Sequence, residues 1–251
     1  IGMGVAARSK PDGYTVRLAL SSLTVIPEAD ALLGRSPMFL LNELRPIARY
    51  TADPTVLAVR ADAPWKTVKE FVEDARKRPG AINYGSSGNY GTMHVPMEIL
   101  AQTAGIKMTH IPYKGSGQSV PAILAGDVPI LLTAFTASAP HIRAGTLNLL
   151  AVTGGKRWSR FPDTPSLAEM VKDYDFQAET GVLGPAGIPP AIVNKLQAAV
   201  KQATESPDFL AKFKETGFSI IYSNANEYGE IIKKNVRKYE RAVKLANIKS
   251  D

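Results

Sequence analysis

The chain has no cysteine among its 251 residues. That absence removes disulfides, thiolate metal sites and cysteine nucleophiles together, and it leaves the compartment open. Histidine is scarce: His94, His110 and His141 share no metal-ligand spacing. His110, on a strand, and His141 read as structural, whereas His94, in the first turn of a helix, suits ligand contact and packing equally. No apolar run reaches the roughly 18 residues of a membrane span, and the start of the chain has no signal-peptide pattern. There is no P-loop, no Gly-x-Gly-x-x-Gly fingerprint and no Gly-x-Ser-x-Gly elbow. Asp12, Asp127 and Asp163 sit beside turns, and no carboxylate pair is placed for acid–base work. The formal charge is +7, yet no dense basic tract crosses the middle of the chain. The C-terminal lysines fall on a helical pattern as a solvated face, which argues against a nucleic-acid partner. With 45% apolar and 21% charged residues, the chain is of ordinary globular composition, long enough for one large domain or two smaller ones.

What the chain has instead is small polar residues and glycines at the ends of strands. The run Asn83-Tyr84-Gly85-Ser86-Ser87-Gly88-Asn89-Tyr90-Gly91-Thr92-Met93-His94 follows the apolar Ala81-Ile82. It precedes Val95, Ile99 and Leu100 at helical spacing, so it reads as strand, glycine-rich loop, helix. Ser86, Ser87, Asn89 and Thr92 fall where a helix start has free N–H donors, a place suited to a carboxylate or phosphate. An ordinary capped loop accounts for the same residues. Neutral donors suit one or two carboxylates better than a compact tricarboxylate. Tyr90 and Phe135 offer flat walls, so an aromatic ligand body is admitted.

The rest of the chain alternates. Ile1–Ala7 reads as a helix already under way, with the strand that normally precedes it missing. Strands are expected at 14–20, 44–50, 55–59, 108–111, 128–133, 147–153, 176–183 and 218–222. Helices are expected at 65–77, after the glycine-rich loop as far as Gly105, up to Gly126, and at 136–144, 166–171, 192–204, 208–215 and 226–245. Asp53-Pro54 is expected to separate two strands. The rhythm predicts an α/β fold with mostly parallel sheets.

Several blocks together carry a resemblance: Pro11-Asp12-Gly13-Tyr14-Thr15; Tyr84-Gly85-Ser86-Ser87-Gly88-Asn89 with Gly91-Thr92 and His94; and His110-Ile111-Pro112-Tyr113-Lys114-Gly115. To these are added Ala144-Gly145 with Leu150-Ala151-Val152-Thr153, Arg157 with Phe161-Pro162-Asp163-Thr164-Pro165, and Gly184-Pro185-Ala186-Gly187-Ile188-Pro189. In this order the sequence resembles the extracytoplasmic solute-binding proteins of tripartite tricarboxylate transporters, the Bug family. The resemblance implies a two-lobed periplasmic binding protein-like fold with a mostly parallel sheet in each lobe. Lobe one would hold 1–84 and 179–251, lobe two 85–178, with connections near 82–85 and 178–183. It implies that Ser86, Ser87, Asn89, Gly91 and Thr92 hold one end of the ligand and Ser21, Ser22 and Thr24 serve the first lobe. Phe135, Thr136, Thr180 and Gly181 are further walls.

This sequence departs from the family where Glu179 and Thr180 replace a common aromatic, and where Pro129 replaces a frequent acidic residue. The family also begins with a strand and a glycine-containing loop that supplies ligand contacts, and here both are missing upstream of Ile1. The function so implied is a periplasmic, monomeric receptor without cofactor. It captures an organic mono- or dicarboxylate between its lobes and meets membrane transporter subunits transiently. Two alternatives are an enzyme using His94 or Lys114 on a carboxylated substrate, and a partner presenting its ligand to a membrane sensor.

Overall fold

The computed structural model describes residues 2–32 and 34–246 of the chain. Two compact units emerge. The first takes the described residues of 1–52 and 178–244, and the second takes Asp53–Gln177. The expected boundary near 84 is therefore corrected: residues 53–84 belong to the second unit. The cause is strand pairing. β2 runs unbroken from Leu44 to Arg60, although two strands were expected there. Its first part pairs with β8 (Ile220–Ser223) through Arg49 and Thr51. Its later part, Thr55–Val59, lies antiparallel to β5 (Ile130–Ala134), and beyond it to β6 (Leu147–Val152). Pro54 fits because its fixed φ suits extended backbone, and it falls between the two sets of registered partners, where a missing N–H costs no ladder bond.

In the second unit β3 (Asn83–Ser86) is parallel to β4 (Thr109–Pro112) and to β5. β2 enters this sheet as the antiparallel member, placed between β5 and β6. In the first unit the registered pairs, β1 (Arg17–Leu20) with β7 (Gln177–Pro185) and β2 with β8, are antiparallel. β7 is also hydrogen-bonded to β2, and the parallel pairs β3–β4 and β3–β5 join the second unit's core strands through helical crossovers.

Most helices follow their sequence signals, but the helix expected at 166–171 is only a 3₁₀ turn over Leu167–Glu169. α1 is Gly2–Ala7 and α2 is Ile26–Leu32, a short helix for which the sequence gives no expectation. α3 (Val68–Lys77) starts on a capping box: the Glu70 N–H donates to Thr67 Oγ1 and the Thr67 N–H to the Glu70 carboxylate. It buries Val68, Phe71, Val72 and Ala75. Next come α4 (His94–Ala104), α5 (Ser116–Ala125) and α6 (Phe135–Arg143), each following one of the strands β3, β4 and β5. α7 (Pro190–Glu205), α8 (Pro207–Thr216) and α9 (Ala225–Ala246) complete the first unit's helices. On α9 Lys233, Lys234 and Arg237 are exposed while Tyr239 and Asn235 are buried, so the basic residues do form a solvated face.

Each unit has its own core. In the first, Ile47, Val182, Ile188 and Val193 pack together, and Leu23, Leu44, Leu183 and Tyr228 form a second cluster. In the second, Val120, Ile123, Val128 and Leu131 sit between α5 and the sheet. At the end of β6 the buried Thr153 hydroxyl accepts the Thr55 N–H at 2.9 Å and donates to the Phe176 carbonyl at 2.6 Å, which fixes the chain leaving this unit.

Candidate functional site

Parallel pairing of β3, β4 and β5 puts their carboxyl ends at one edge of the second unit's sheet, and α4, α5 and α6 all begin there. In open α/β sheets that edge is where ligands sit, because helix N-termini and strand-end loops gather their backbone donors there. The glycine-rich loop lies between β3 and α4. Gly88 adopts φ +137°, a conformation open to glycine alone at little cost, and Tyr90 takes the left-handed region at φ +56°. The turn bonds of α4 begin with the N–H groups of His94 and Val95 donating to the Gly91 carbonyl. Upstream of them, the N–H groups of Asn89, Thr92 and Met93 find no acceptor among the described residues.

The side chains of the loop behave differently from expectation. Ser86 is fully buried, and its hydroxyl is shared between His110 Nε2 (2.6 Å), the Gly88 carbonyl (3.1 Å) and the Gly88 N–H (3.2 Å). As a direct ligand contact Ser86 is therefore corrected: its role is to shape the loop. Ser87 and Thr92 both direct their hydroxyls at the Met93 sulfur, at 3.1 and 3.0 Å, and Thr92 is buried. Thr92 does not cap α4 either; the capping position is Met93, with no side-chain bond. Asn89 is exposed, and Tyr90 and Gly91 are half-buried. The donors this loop offers are consequently backbone N–H groups. Lys114 is exposed, one residue before a glycine whose N–H donates to the Ser87 carbonyl.

Phe135 is corrected from pocket wall to core. It is buried, meeting Trp158 and Phe161 edge-on at 5.0 and 5.3 Å, with Arg160 over its face. Its neighbour Thr136 is half-buried in the first turn of α6, at the same sheet edge as the loop.

The remaining expected residues lie in the first unit, and the structure brings them together there. Ser21–Thr24 form a 3₁₀ turn directly after β1, and β1 pairs Leu20 with Thr180 and Ala19 with Gly181. The Glu179 N–H donates to Ser21 Oγ. Thr24 is buried and returns its hydroxyl to the Ser21 carbonyl at 2.7 Å, so its side chain serves the turn. Gly181 is required by packing, since a Cβ there would lie 2.4 Å from the Tyr228 ring. Ser22 and Thr180 are half-buried.

Sequence reading missed a buried charged group beside these residues. Glu179 receives Arg49 Nη1 at 2.7 Å and Asn235 Nδ2 at 2.5 Å, and Arg49 also donates to Ser223. The sequence signal was present in part, as Glu179 at a position where the family has an aromatic. The convergence of Arg49 and Asn235 on it depends on long-range pairing. Among the described residues no cluster of metal-ligating side chains occurs, and no helix is long and apolar enough to cross a membrane.

Comparison with known proteins gives this geometry a context. The chain is 34% identical over 233 residues to a UPF0065 protein in the gbd 5′ region of Cupriavidus necator, covering 93% of this chain and 69% of the relative. It is similar to the solved structure of R. palustris Rpa4515 with adipate, at 26% identity and a TM-score of 0.89, covering 98% of this chain and 82% of that one. The periplasmic binding protein BugD shares the fold at 23% identity and a TM-score of 0.87, over 99% and 83% of the two chains. A family model described as the tripartite tricarboxylate transporter family receptor, TctC, matches residues 1–248, and the chain belongs to that family of solute-binding receptors.

Proposed function

We propose that this protein is a periplasmic receptor that captures an organic mono- or dicarboxylate and delivers it to membrane transporter subunits. The observation that carries the reading is the set of backbone donors at Asn89, Thr92 and Met93. Thr92 and Met93 lie at the start of α4, where the helix dipole also favours an anion, Asn89 lies in the loop before it, and none of the three N–H groups has an acceptor among the described residues. The similar R. palustris protein is described with adipate, a dicarboxylate. Exposed Asn89 and half-buried Tyr90, Gly91 and Thr136 border the same sheet edge and supply the ligand's surroundings in the second unit. Ser22 and Thr180 are the accessible polar residues of the first unit's set. Binding rather than turnover is the reading because the imidazole nitrogen of His94 nearest the loop is occupied as an acceptor, and Lys114 stands exposed on a loop.

A thermal-shift panel of aliphatic and aromatic mono-, di- and tricarboxylates tests this. A cognate ligand at about 100 times its Kd adds about 2.7 kcal/mol, or about 5–11 °C in melting temperature for a chain of this size. The ligand should be recovered chemically unchanged. A panel with no stabilising carboxylate, or citrate far exceeding every mono- and dicarboxylate, contradicts the proposal.

A further inference from the structure

Beneath the loop lies a column of rings in which Tyr84 and His94 are buried and His110 is half-buried. His94 and His110 stack at 3.9 Å and within 8° of parallel, and Tyr84 stacks on His110 at 4.8 Å. Each histidine reaches one end of the loop. His94 Nδ1 accepts the N–H of Tyr90 at 3.0 Å, which is the residue held at positive φ. His110 Nε2 meets Ser86 Oγ, which in turn ties both polar atoms of the Gly88 backbone.

We infer that the stacked pair holds the 86–91 loop in the conformation that leaves the Thr92 and Met93 N–H groups free for an anion. His94 and His110 are then positioning residues. This rests on the reading of the loop as the carboxylate site.

The hydrogen-bond directions fix the chemistry. His94 accepts at Nδ1, so its one proton is on Nε2, which lies 3.9 Å from the Glu98 carboxylate. Ser86 has one hydrogen and two lone pairs; donating to the Gly88 carbonyl, it accepts from the Gly88 N–H and from a proton on His110 Nε2. A second proton on His94 would set two donors face to face at Tyr90. The groups facing His94 are His110 on β4, Tyr84 on β3, Tyr90 in the loop and Glu98 on its own helix. Burial first, and then the His110 charge, push the pKa of His94 down to about 3, so the acceptor persists through neutral and mildly acid solution.

Nitrogen NMR of the imidazoles in the ligand-free protein, amide exchange at Tyr90 and calorimetry with adipate test the inference on the parent, His94→Leu and His94→Asn. Asparagine keeps a carbonyl oxygen near the place of Nδ1, and leucine keeps only bulk. His94 should remain in the Nε2–H form from pH 7 to pH 4. Tyr90 exchange should rise about tenfold in His94→Leu, the loss of one neutral hydrogen bond, and stay within about twofold in His94→Asn. Adipate affinity should fall in the same pattern. The inference is overturned by a His94 that titrates near its ordinary value, by unchanged exchange in His94→Leu, or by equal effects in both variants. If His94→Leu does not fold, the parent's tautomer and the asparagine variant decide. If the parent binds no carboxylate, the site reading fails, while the tautomer and exchange results still decide whether the stack holds the loop.

Discussion

Glu179→Ala should lower the stability of the protein by about 3–5 kcal/mol, the usual cost of stranding one member of a buried ion pair. Arg49 and Glu179 are only 13% and 10% exposed as side chains, so neither charge is recovered by water when its partner leaves. Removing Glu179 also leaves Asn235 Nδ2 without its acceptor and Arg49 with only Ser223. Among the described residues the buried Nε of Arg49 and the buried hydroxyl of Thr51, two positions on in β2, have no partner. The pocket of charge has little spare capacity. Replacing both partners, as Arg49→Met with Glu179→Met, should cost less than Glu179→Ala alone, because no buried charge is then left uncompensated. Urea denaturation followed by circular dichroism measures both. A loss below about 1 kcal/mol for Glu179→Ala would show that the pair is solvated in solution.

The second large effect is on acid stability. The folded state holds His94 at a pKa of about 3, whereas the unfolded chain protonates it near 6.5. Between those values the unfolded state binds the extra proton, so stability rises with pH across the window and is lost as pH falls through it. One group contributes a slope approaching about 1.4 kcal/mol per pH unit. Glu98 acts with the opposite sign. Burial raises its pKa against the bond from Tyr84, so the folded state takes up a proton first and gains stability on acidification. The difference between the parent and His94→Asn isolates the histidine. From pH 6.5 to pH 4 the parent should lose about 2–3 kcal/mol relative to the variant. Parallel stability–pH curves for the two proteins would mean that His94 is accessible to solvent when folded.

These two effects rest on the features least visible in the sequence. Most helices and strands could be read from periodicity and caps: the Thr67–Glu70 box, the apolar face of α3 and the run of β6 are all local signals. The unbroken β2 was not, because Asp53-Pro54 looks like punctuation, and only partners from two different sheets explain why the strand continues through it. α2 escaped notice because seven residues with Pro27 at the second position give too short a period to register. The loop was legible from its glycines as a candidate anion site, but which of its atoms have partners was not. Ser86 looked like a ligand donor until His110, brought alongside by the parallel pairing of β3 and β4, took its hydroxyl. Phe135 looked like a wall until Trp158 and Phe161 closed over it. Glu179 and Arg49 lie 130 residues apart, and nothing local joins them.

The central claim is that a carboxylate is held by backbone N–H groups at the start of α4. Amide NMR during a titration with adipate, malate and the strongest ligand of the thermal panel measures this directly. The account predicts that the Thr92 and Met93 amide protons move downfield together and saturate at one equivalent, as expected for N–H groups donating to an anion. Saturable binding that leaves both amides unmoved would contradict it.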